Sequence, residues 1–265
     1  MNTHSLAVVQ LSAGGYDPKS LSDAVERTRS AAASSELVAL PESYAGFGDL
    51  QTRLPWAFDE HHPEQGATVT PFLEISRVSK ATIVLGGTPE RSCDGRTFNT
   101  ALVLRDGRVV AKYRKENLFD ATLPDGTRLE ESRNTAPGAS GQDVVVEVGA
   151  CSLGMSICYD LRFPAHYQRL RACGANVMLV PSAFTRPTGE AHWEVLLRAR
   201  AIETQSFVVA PAQCGVHGGG RSSWGHSLIV SPWGEVLADA GEEAGTIAVT
   251  LDLQAVRDAR ARFGS

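Results

Sequence analysis

The sequence lacks any segment that would place the protein in a membrane or on a polyanion. No apolar run approaches the roughly 18 residues of a membrane-spanning helix, and the N-terminus has no basic segment followed by an apolar signal core. Charge is not concentrated, because the net charge of −5 comes from acids and bases scattered over 265 residues. We therefore expect a cytoplasmic protein with a small-molecule substrate and neither membrane nor nucleic-acid partners.

Cysteine is scarce and its count is odd. Five cysteines at irregular spacing lack the even, patterned arrangement of a disulfide framework, so their thiols are expected to be reduced. Linkers, repeats and low-complexity tracts are also absent, apart from Gly218 to Gly220, which we interpret as a flexible loop. The sequence therefore predicts a single domain over residues 1–265.

Two common hydrolase signatures are missing as well. No Gly-x-Ser-x-Gly motif of a serine hydrolase is present, and the seven histidines do not show the spacing of paired zinc ligands. The sequence therefore predicts neither a serine hydrolase nor a zinc enzyme. A cysteine enzyme with His192 or His226 as its base stays open on spacing alone.

What the sequence does contain is a large number of strands for few helices. Strands are predicted at Leu6–Gln10, Leu37–Leu40, Thr82–Leu85, Asp143–Val148, Cys151–Ile157, Asn176–Val180, Phe207–Ala210, Ser227–Ser231, Val236–Asp239 and Thr246–Leu251, with a hairpin over Thr97–Arg114. Helices are predicted at Asp17–Ala33, Pro71–Lys80, Pro164–Cys173, Glu190–Gln205 and the C-terminus, and residues 115–142 are predicted as a polar loop. This α/β content favours two sheets packed face to face with helices outside, a four-layer α-β-β-α sandwich.

Three polar residues, Glu42, Lys115 and Cys158, each stand where an apolar strand stops. Side chains at strand ends often form functional sites in α/β proteins. Partial desolvation of Glu42 is expected to raise its pKa toward that of a working general base. Lys115 is suited to stabilise a negative oxygen. Cys158 precedes a sharp strand-to-helix bend, where amides and cations can favour the thiolate. Each residue alone also fits a structural role, as a strand-end carboxylate, a solvated edge or a core thiol.

The combination is far more specific than its parts. It comprises the segments Leu40-Pro41-Glu42, Tyr113-Arg114-Lys115 with Leu118-Phe119-Asp120, and Ile157-Cys158-Tyr159-Asp160-Leu161-Arg162-Phe163-Pro164. Their order and spacing resemble the nitrilase superfamily of carbon–nitrogen hydrolases, from Ala7-Val8-Val9-Gln10 almost to the C-terminus. The resemblance implies the α-β-β-α fold, hydrolysis of linear amides and a triad of Glu42, Lys115 and Cys158. A second family glutamate matches Glu131, with Glu130 as a one-residue alternative.

The resemblance also implies a mechanism. Glu42 takes the thiol proton as Cys158 attacks the amide carbon, and Lys115 and the backbone amide of Tyr159 hold the oxyanion. The amine leaves, a thioester forms, and the same carboxylate then activates water. No cofactor takes part in these steps.

The substrate branch is indicated by residues around the cysteine and further along the chain. Tyr159-Asp160 replaces the Trp-Glu usual in true nitrilases, so an amidase is expected. Segments from Pro181 to Gln205, Ala212 to Gly215 and Trp224 to Ser227 resemble the branch that hydrolyses deaminated glutathione. An ω-amidase acting on α-ketoglutaramate and a catalytically silent scaffold protein are the alternatives.

Some details depart from the family or rest on it alone. Asn117 stands where the family commonly has His, and Ala165 where it has Glu, which affects the rim of the pocket. Arg186, Thr188 and His192 are candidates for binding substrate carboxylates. The resemblance also implies a homodimer or a larger homo-oligomer.

Overall fold

The order of helices and strands follows the apolar periodicity of the sequence. A computed structural model of the chain describes residues 3–122, 126–217 and 221–263. The predicted loop at Gly218–Gly220 lies outside the described residues. The first half forms β1 (Thr3–Gln10), α1 (Pro18–Ala32), β2 (Leu37–Ala39), α2 (Leu50–Arg53), α3 (Thr70–Ser79), β3 (Thr82–Arg91), β4 (Thr97–Arg105), β5 (Arg108–Arg114), β6 (Asp120–Thr122), β7 (Arg128–Glu130) and β8 (Thr135–Ala136). The start of α1 is fixed as predicted, because the Asp17 carboxylate accepts a hydrogen bond from the Ser20 backbone N–H at 2.9 Å.

The second half repeats the alternation with its own set of strands. It forms β9 (Val145–Val148), β10 (Cys151–Met155), α4 (Pro164–Ala172), β11 (Val177–Leu179), α5 (Arg186–Thr204), β12 (Phe207–Ala210), β13 (Cys214–Val216), β14 (Ser222–Trp224), β15 (Leu228–Val230), β16 (Val236–Asp239), β17 (Gly245–Asp252) and α6 (Gln254–Phe263). Short 3₁₀ turns lie at Leu54–Trp56, Pro63–Gln65, Glu131–Arg133 and Cys158–Arg162.

The strands build two mixed sheets of similar design. One has the order β17-β1-β2-β3-β4-β5, with β8 beside β4, and the other β16-β15-β12-β11-β10-β9. In the first, β1, β2 and β3 are parallel. In the second, β10, β11 and β12 are parallel. Because β4 is antiparallel to both β3 and β5, β5 runs in the same direction as β2, and both strands end at the same edge.

The two sheets pack face to face, and alternate side chains of one strand enter different cores. In β1, Leu6 and Val8 join a cluster that also contains Leu153 and Leu179 of the second sheet. Ala7 and Val9 point to the opposite face, into the cluster that includes α1 and α3 residues. The same cluster continues to the outer face of the second sheet, where Leu170 of α4 and Trp193 of α5 belong to it. The predicted four-layer α-β-β-α sandwich is confirmed.

Several boundaries differ from the sequence-based prediction. Strand β3 continues past Leu85 to Arg91, because a register shift between Leu85 and Thr88 accommodates Gly86 and Gly87. Helix α5 begins at Arg186 rather than Glu190, with a proline in its first turn.

Elements were also missed where the sequence gives no periodicity. The predicted loop at residues 115–142 contains the β6–β7 hairpin and strand β8, and β13 pairs with β14 in a second hairpin. These strands have two or three residues, too short for an alternating pattern to appear. Within the described ranges, no helix is long and apolar enough to span a membrane.

Candidate active site

Glu42 emerges from the end of β2 on a backbone that is held from several sides. Gln213 donates its side-chain amide to the carbonyl oxygens of Glu42 and Ser43, at 3.1 Å each. The Asn99 side-chain amide donates to Glu42 Oε1 at 2.8 Å. Gly87 allows this packing, because a Cβ there would lie 2.7 Å from Asn99 Oδ1 and 3.2 Å from Glu42 Cα. The carboxylate is therefore buried and fixed in one orientation.

Lys115 follows β5 and brings an ammonium group to this carboxylate. Its Nζ donates to Glu42 Oε1 at 2.9 Å and to Glu131 Oε2 at 2.8 Å. The Lys115 side chain is only 2% exposed, so its charge needs these partners to offset the loss of hydration. Its backbone N–H donates to the Asn99 carbonyl at 2.9 Å, so Asn99 positions both members of the pair.

Glu131 reaches the lysine from the 3₁₀ turn after β7. Its Oε2 also accepts the Phe119 backbone N–H at 2.7 Å. The neighbouring Glu130 forms an exposed ion pair with Arg128 instead, at 2.9 Å. The structure therefore brings Glu131, and not Glu130, to Lys115.

Cys158 lies at the sharp bend that the sequence predicts after β10. Its φ of 50° is in the left-handed region, which is unusual for a residue with a Cβ and is typical of strained functional positions. The bend is held because Cys158 N–H donates to the Pro181 carbonyl at 2.9 Å. The residue is 7% exposed, and its thiol interacts with the Glu42 carboxylate and the Lys115 ammonium. The Tyr159 ring, next in the turn, lies 5.0 Å from the Phe119 ring.

The charge states of the site differ from the sequence-based expectation. Burial raises the pKa of Glu42, but Lys115 and hydrogen bonds from Cys158 and Lys115 outweigh it and hold the pKa below its ordinary value. The predicted rise is therefore wrong, because the sequence does not show how close the ammonium is. Burial lowers the pKa of Lys115, but Glu131 and Glu42 together raise it well above its ordinary value.

The predicted preference of Cys158 for the thiolate is also wrong. Burial and the Glu42 carboxylate raise the pKa of the thiol, against the smaller opposing effect of Lys115. The site at rest therefore holds a carboxylate, an ammonium and a neutral thiol. This is the arrangement in which Glu42 is ready to accept the thiol proton.

A buried carboxylate ties the cysteine turn to the segment that follows Lys115. Asp160 accepts the Ile157 N–H at 2.9 Å and the Tyr113 hydroxyl at 2.8 Å. Asn117 donates both its backbone N–H and its side-chain amide to Asp160, each at 2.9 Å. Asn117, which departs from the family pattern, thus has a defined structural role here.

Glu42, Lys115, Glu131 and Cys158 line one cavity of about 650 Å³. Several other residues of its wall were not predicted as site residues, namely Tyr16, Phe47, Arg53, Asn99 and Arg221. Phe119 also lines the cavity and lies in the family segment Leu118-Phe119-Asp120. Asn99 carried one available signal, since asparagine is depleted in strand interiors. Arg53 and Arg221 lie in segments without motifs, so nothing in the sequence distinguishes them from surface cations.

Three of the predicted substrate-binding residues are not among the residues that line this cavity. They lie on α5, where Arg186 forms an ion pair with Glu242 at 2.8 Å. Thr188 is hydrogen-bonded to the Thr185 hydroxyl at 2.9 Å. The His192 ring contacts Arg162 at 3.3 Å and is exposed. These three residues therefore do not line the cavity that also contains Cys158.

The other cysteines have no comparable surroundings. Burial raises the pKa of Cys151 to about 12 and that of Cys214 to about 11. Cys93 and Cys173 are exposed, although free cysteines are among the most buried residue types. In the described part of the chain, no group of three or more His, Cys, Asp or Glu side chains is arranged to hold a metal ion.

Comparisons with known proteins agree with this fold and site. The model of the carbon–nitrogen hydrolase family matches residues 5–261. The chain therefore belongs to the carbon–nitrogen hydrolase family, and the predicted class of enzyme, an amidase of the nitrilase superfamily, is confirmed. The chain is similar to the deaminated glutathione amidase of Synechocystis, with 39% identity over 87% of this chain and 85% of the relative. It is also similar to the deaminated glutathione amidase of Homo sapiens, with 42% identity over 75% of this chain and 62% of the relative.

Some relatives are longer than this chain. A nitrilase and fragile histidine triad fusion protein of Drosophila melanogaster is 41% identical over 94% of this chain, which spans about half (54%) of that relative. The C. elegans NitFhit structure has a TM-score of 0.89 and 35% identity, covering 99% of this chain and 64% of its own. Saccharomyces cerevisiae Nit3, described as a member of the nitrilase superfamily, has a TM-score of 0.86 and 28% identity, covering 98% and 94%.

Proposed function

We propose that this chain is a cysteine-dependent amidase that hydrolyses deaminated glutathione through a thioester acyl-enzyme. The observation that carries the proposal is the Lys115 ammonium, held 2.9 Å from Glu42 and 2.8 Å from Glu131 in a cavity that Cys158 also lines. A base, a cation and a nucleophile around one space are what acyl transfer requires. The relatives named deaminated glutathione amidase support this choice of substrate.

The first step forms the thioester. Glu42 accepts the thiol proton while Cys158 sulfur attacks the amide carbon, and the carbonyl oxygen gains the negative charge. Lys115 and the backbone N–H of Tyr159 stabilise that oxygen, because charge that develops in a dry cavity interacts strongly with fixed donors. The carbon–nitrogen bond then breaks, Glu42 gives its proton to the nitrogen, and cysteinylglycine leaves.

The second step releases the acid. Glu42 takes a proton from water as the water oxygen attacks the thioester carbon, and Lys115 again faces the developing oxyanion. The carbon–sulfur bond breaks, the sulfur regains a proton from Glu42, and the 2-oxo dicarboxylic acid leaves. Glu131 keeps Lys115 charged and in place through both steps, and its hydrogen bond from Phe119 N–H fixes it there.

Turnover by the purified chain tests the proposal. We expect the highest kcat/KM with deaminated glutathione, a lower value with α-ketoglutaramate and the lowest with a simple ω-amide. Preference for α-ketoglutaramate would instead identify an ω-amidase. No turnover of any of the three would identify a catalytically silent scaffold protein.

The nucleophile is tested with a matched pair of cysteine variants. Cys158→Ala should lower kcat by more than about 1,000-fold, as removal of a catalytic nucleophile generally does. Cys214→Ala removes another buried thiol, outside the residues that line the cavity, and should keep turnover within about twofold. Activity retained by the first variant and lost by the second would refute the assignment.

Two further expectations belong to the same proposal. A thiol nucleophile must stay reduced, so we infer a cytoplasmic location, which fits the free state of the cysteines in the described ranges. We also propose a homodimer, and sedimentation of the purified chain at twice the monomer mass would support it.

A further inference from the structure

Arg53, at the end of α2, lines the cavity, and among the described residues it forms no direct ion pair. Asp49, one helical turn earlier and also in the cavity wall, interacts with its charge only at longer range. Its Nη2 donates to the Asn134 carbonyl at 3.0 Å and its Nη1 to Thr135 Oγ1 at 3.3 Å. The Nε hydrogen is buried and has no hydrogen-bond partner in the described part of the chain. A buried donor without a partner is costly, and a ligand in the cavity could satisfy it.

The guanidinium is held in place by the segment that carries Glu131. Thr135 is fully buried in β8, which pairs with β4, and the Asn134 N–H donates to the Glu131 carbonyl at 3.1 Å. Asp49 lies at the other end of α2, where its carboxylate caps the helix by accepting the Thr52 N–H at 3.0 Å. The Arg53 guanidinium is thus preorganised next to the segment that carries Glu131 and does not extend freely into solvent.

Arg53 and the catalytic carboxylate belong to one compartment. Tyr16 lines the same cavity, and burial raises the pKa of its hydroxyl to about 12, with Arg53 lowering it and Glu42 raising it further. The hydroxyl therefore lies within electrostatic reach of both groups. Arg53, Tyr16, Glu42 and Cys158 all line this cavity, so a ligand bound in it shares the space with the guanidinium.

Given the proposed function, on which this inference rests, we propose that Arg53 binds the free carboxylate of the acyl half of the substrate. A planar guanidinium matches a carboxylate through paired hydrogen bonds, and no other class of small anion is expected on an amide substrate of this type. The acyl half stays attached to sulfur between the two steps, so hydrogen bonds from Arg53 to its carboxylate would hold it in place while water attacks. The other arginine of the wall, Arg221, is exposed and stacks over the Phe47 ring at 5.3 Å.

Calorimetric titration of the purified chain with 2-oxoglutarate, the acid left by the acyl half, tests the subsite without turnover. Arg53→Met keeps the length of the side chain and removes its donors. We expect it to weaken binding about 30-fold, equivalent to about 2 kcal/mol. Arg53→Lys keeps the charge but not the planar pair of donors, and should recover part of this loss.

Arg96 offers a matched control for damage to the same segment. It donates to the Ser132 carbonyl at 2.9 Å and the Thr135 carbonyl at 3.2 Å, but its other donors pair with Asp94 and it does not line the cavity. Arg96→Met therefore loosens the segment without removing a cavity cation. It should leave the affinity for 2-oxoglutarate within about twofold.

The outcomes separate this subsite from the proposed function. Weaker binding by Arg53→Met than by Arg96→Met supports the subsite. Failure of the wild type to bind 2-oxoglutarate, equal losses in the two Met variants, or a loss confined to Arg221→Met would each overturn it. Turnover of deaminated glutathione by the wild type is measured in parallel, so the amidase proposal stands or fails on that result alone.

Discussion

At the scale of single residues, the site depends on how a buried carboxylate, Glu42, and a half-buried one, Glu131, share one ammonium. Without Lys115, Glu42 would be a buried negative charge whose lost hydration nothing replaces. With Lys115 between them at 2.9 and 2.8 Å, Glu42 stays ionised beside a neutral thiol. In the proposed mechanism, the lysine therefore keeps the general base ionised and also stabilises the oxyanion.

This arrangement predicts the acid limb of the pH profile. Since Lys115 and its hydrogen bonds hold the pKa of Glu42 below 4.5 against burial, the carboxylate loses its ability to accept a proton only below that pH. We expect wild-type kcat/KM to be insensitive to Glu42 from neutral pH down to about 4.5 and to fall below it. Short pH-jump assays would measure this before acid unfolding intervenes.

Glu42→Gln tests the same assignment directly. The amide keeps the shape but cannot accept the thiol proton, so kcat should fall about 1,000-fold, within the range for loss of a general base. Glu36→Gln, at the opposite end of β2, should leave kcat within about twofold. An acid limb centred well above pH 6 in the wild type would contradict the ionisation of Glu42 at neutral pH.

At the scale of secondary-structure elements, Asp160 joins two segments that come from different sheets. It accepts hydrogen bonds from Tyr113 of β5, from Asn117 after it and from Ile157 before the cysteine turn. The geometry of Cys158 relative to Lys115 therefore depends on one carboxylate outside the cavity wall. Both of its oxygens are needed, because donors approach each of them.

Asp160→Asn should therefore affect stability and rate together. One oxygen becomes an NH₂ group facing other donors, and each buried donor left without a partner costs about 1–3 kcal/mol. We expect the free energy of unfolding in urea to fall by about 2–4 kcal/mol, with a lower kcat at temperatures where the variant is folded.

Asp252→Asn provides the comparison for this prediction. Asp252 accepts the Gln254 N–H at 2.9 Å at an exposed turn, where asparagine serves equally well, so the change should stay within about 0.5 kcal/mol. Equal urea midpoints for Asp160→Asn and the wild type would show that this network is not needed.

At the scale of the whole molecule, the two sheets share one apolar core. Leu179 of β11 is fully buried in the cluster that also contains Leu6, Val84 and Val103 of the other sheet. Leu179→Ala should lower the free energy of unfolding by about 2–5 kcal/mol, through lost burial and the cavity left behind. Urea unfolding followed by circular dichroism and by tryptophan fluorescence should give one coincident transition.

The control is an apolar residue that the fold leaves in solvent. Val195 of α5 is 69% exposed, so Val195→Ala should change the free energy of unfolding by no more than about 0.5 kcal/mol. If Leu179→Ala cost as little, the two sheets would not depend on a common core. The single domain over residues 1–265 and the homodimer remain predictions at this scale.

The sequence alone was sufficient to predict the four-layer α-β-β-α fold, the strand-to-helix bend at Cys158 and the class of enzyme. Short apolar runs bounded by turn residues predicted most of the strands, because a strand covered on both faces needs apolar side chains along its length. The polar residues that end those runs selected Glu42, Lys115 and Cys158, and the family pattern added Glu131. Local chemistry was sufficient here, because each signal lies within a few residues of the position that it marks.

Only the tertiary structure decided what surrounds these residues. The charge of Glu42 and Cys158, the choice of Glu131 over Glu130, and the presence of Arg53 in the cavity all depend on side chains brought together from distant segments. Arg186, Thr188 and His192 are not among the residues that line the cavity, and their side chains contact Glu242, Thr185 and Arg162. Electrostatic interactions and ligand contacts depend on distance in space, and the spacing of residues along the chain does not determine that distance.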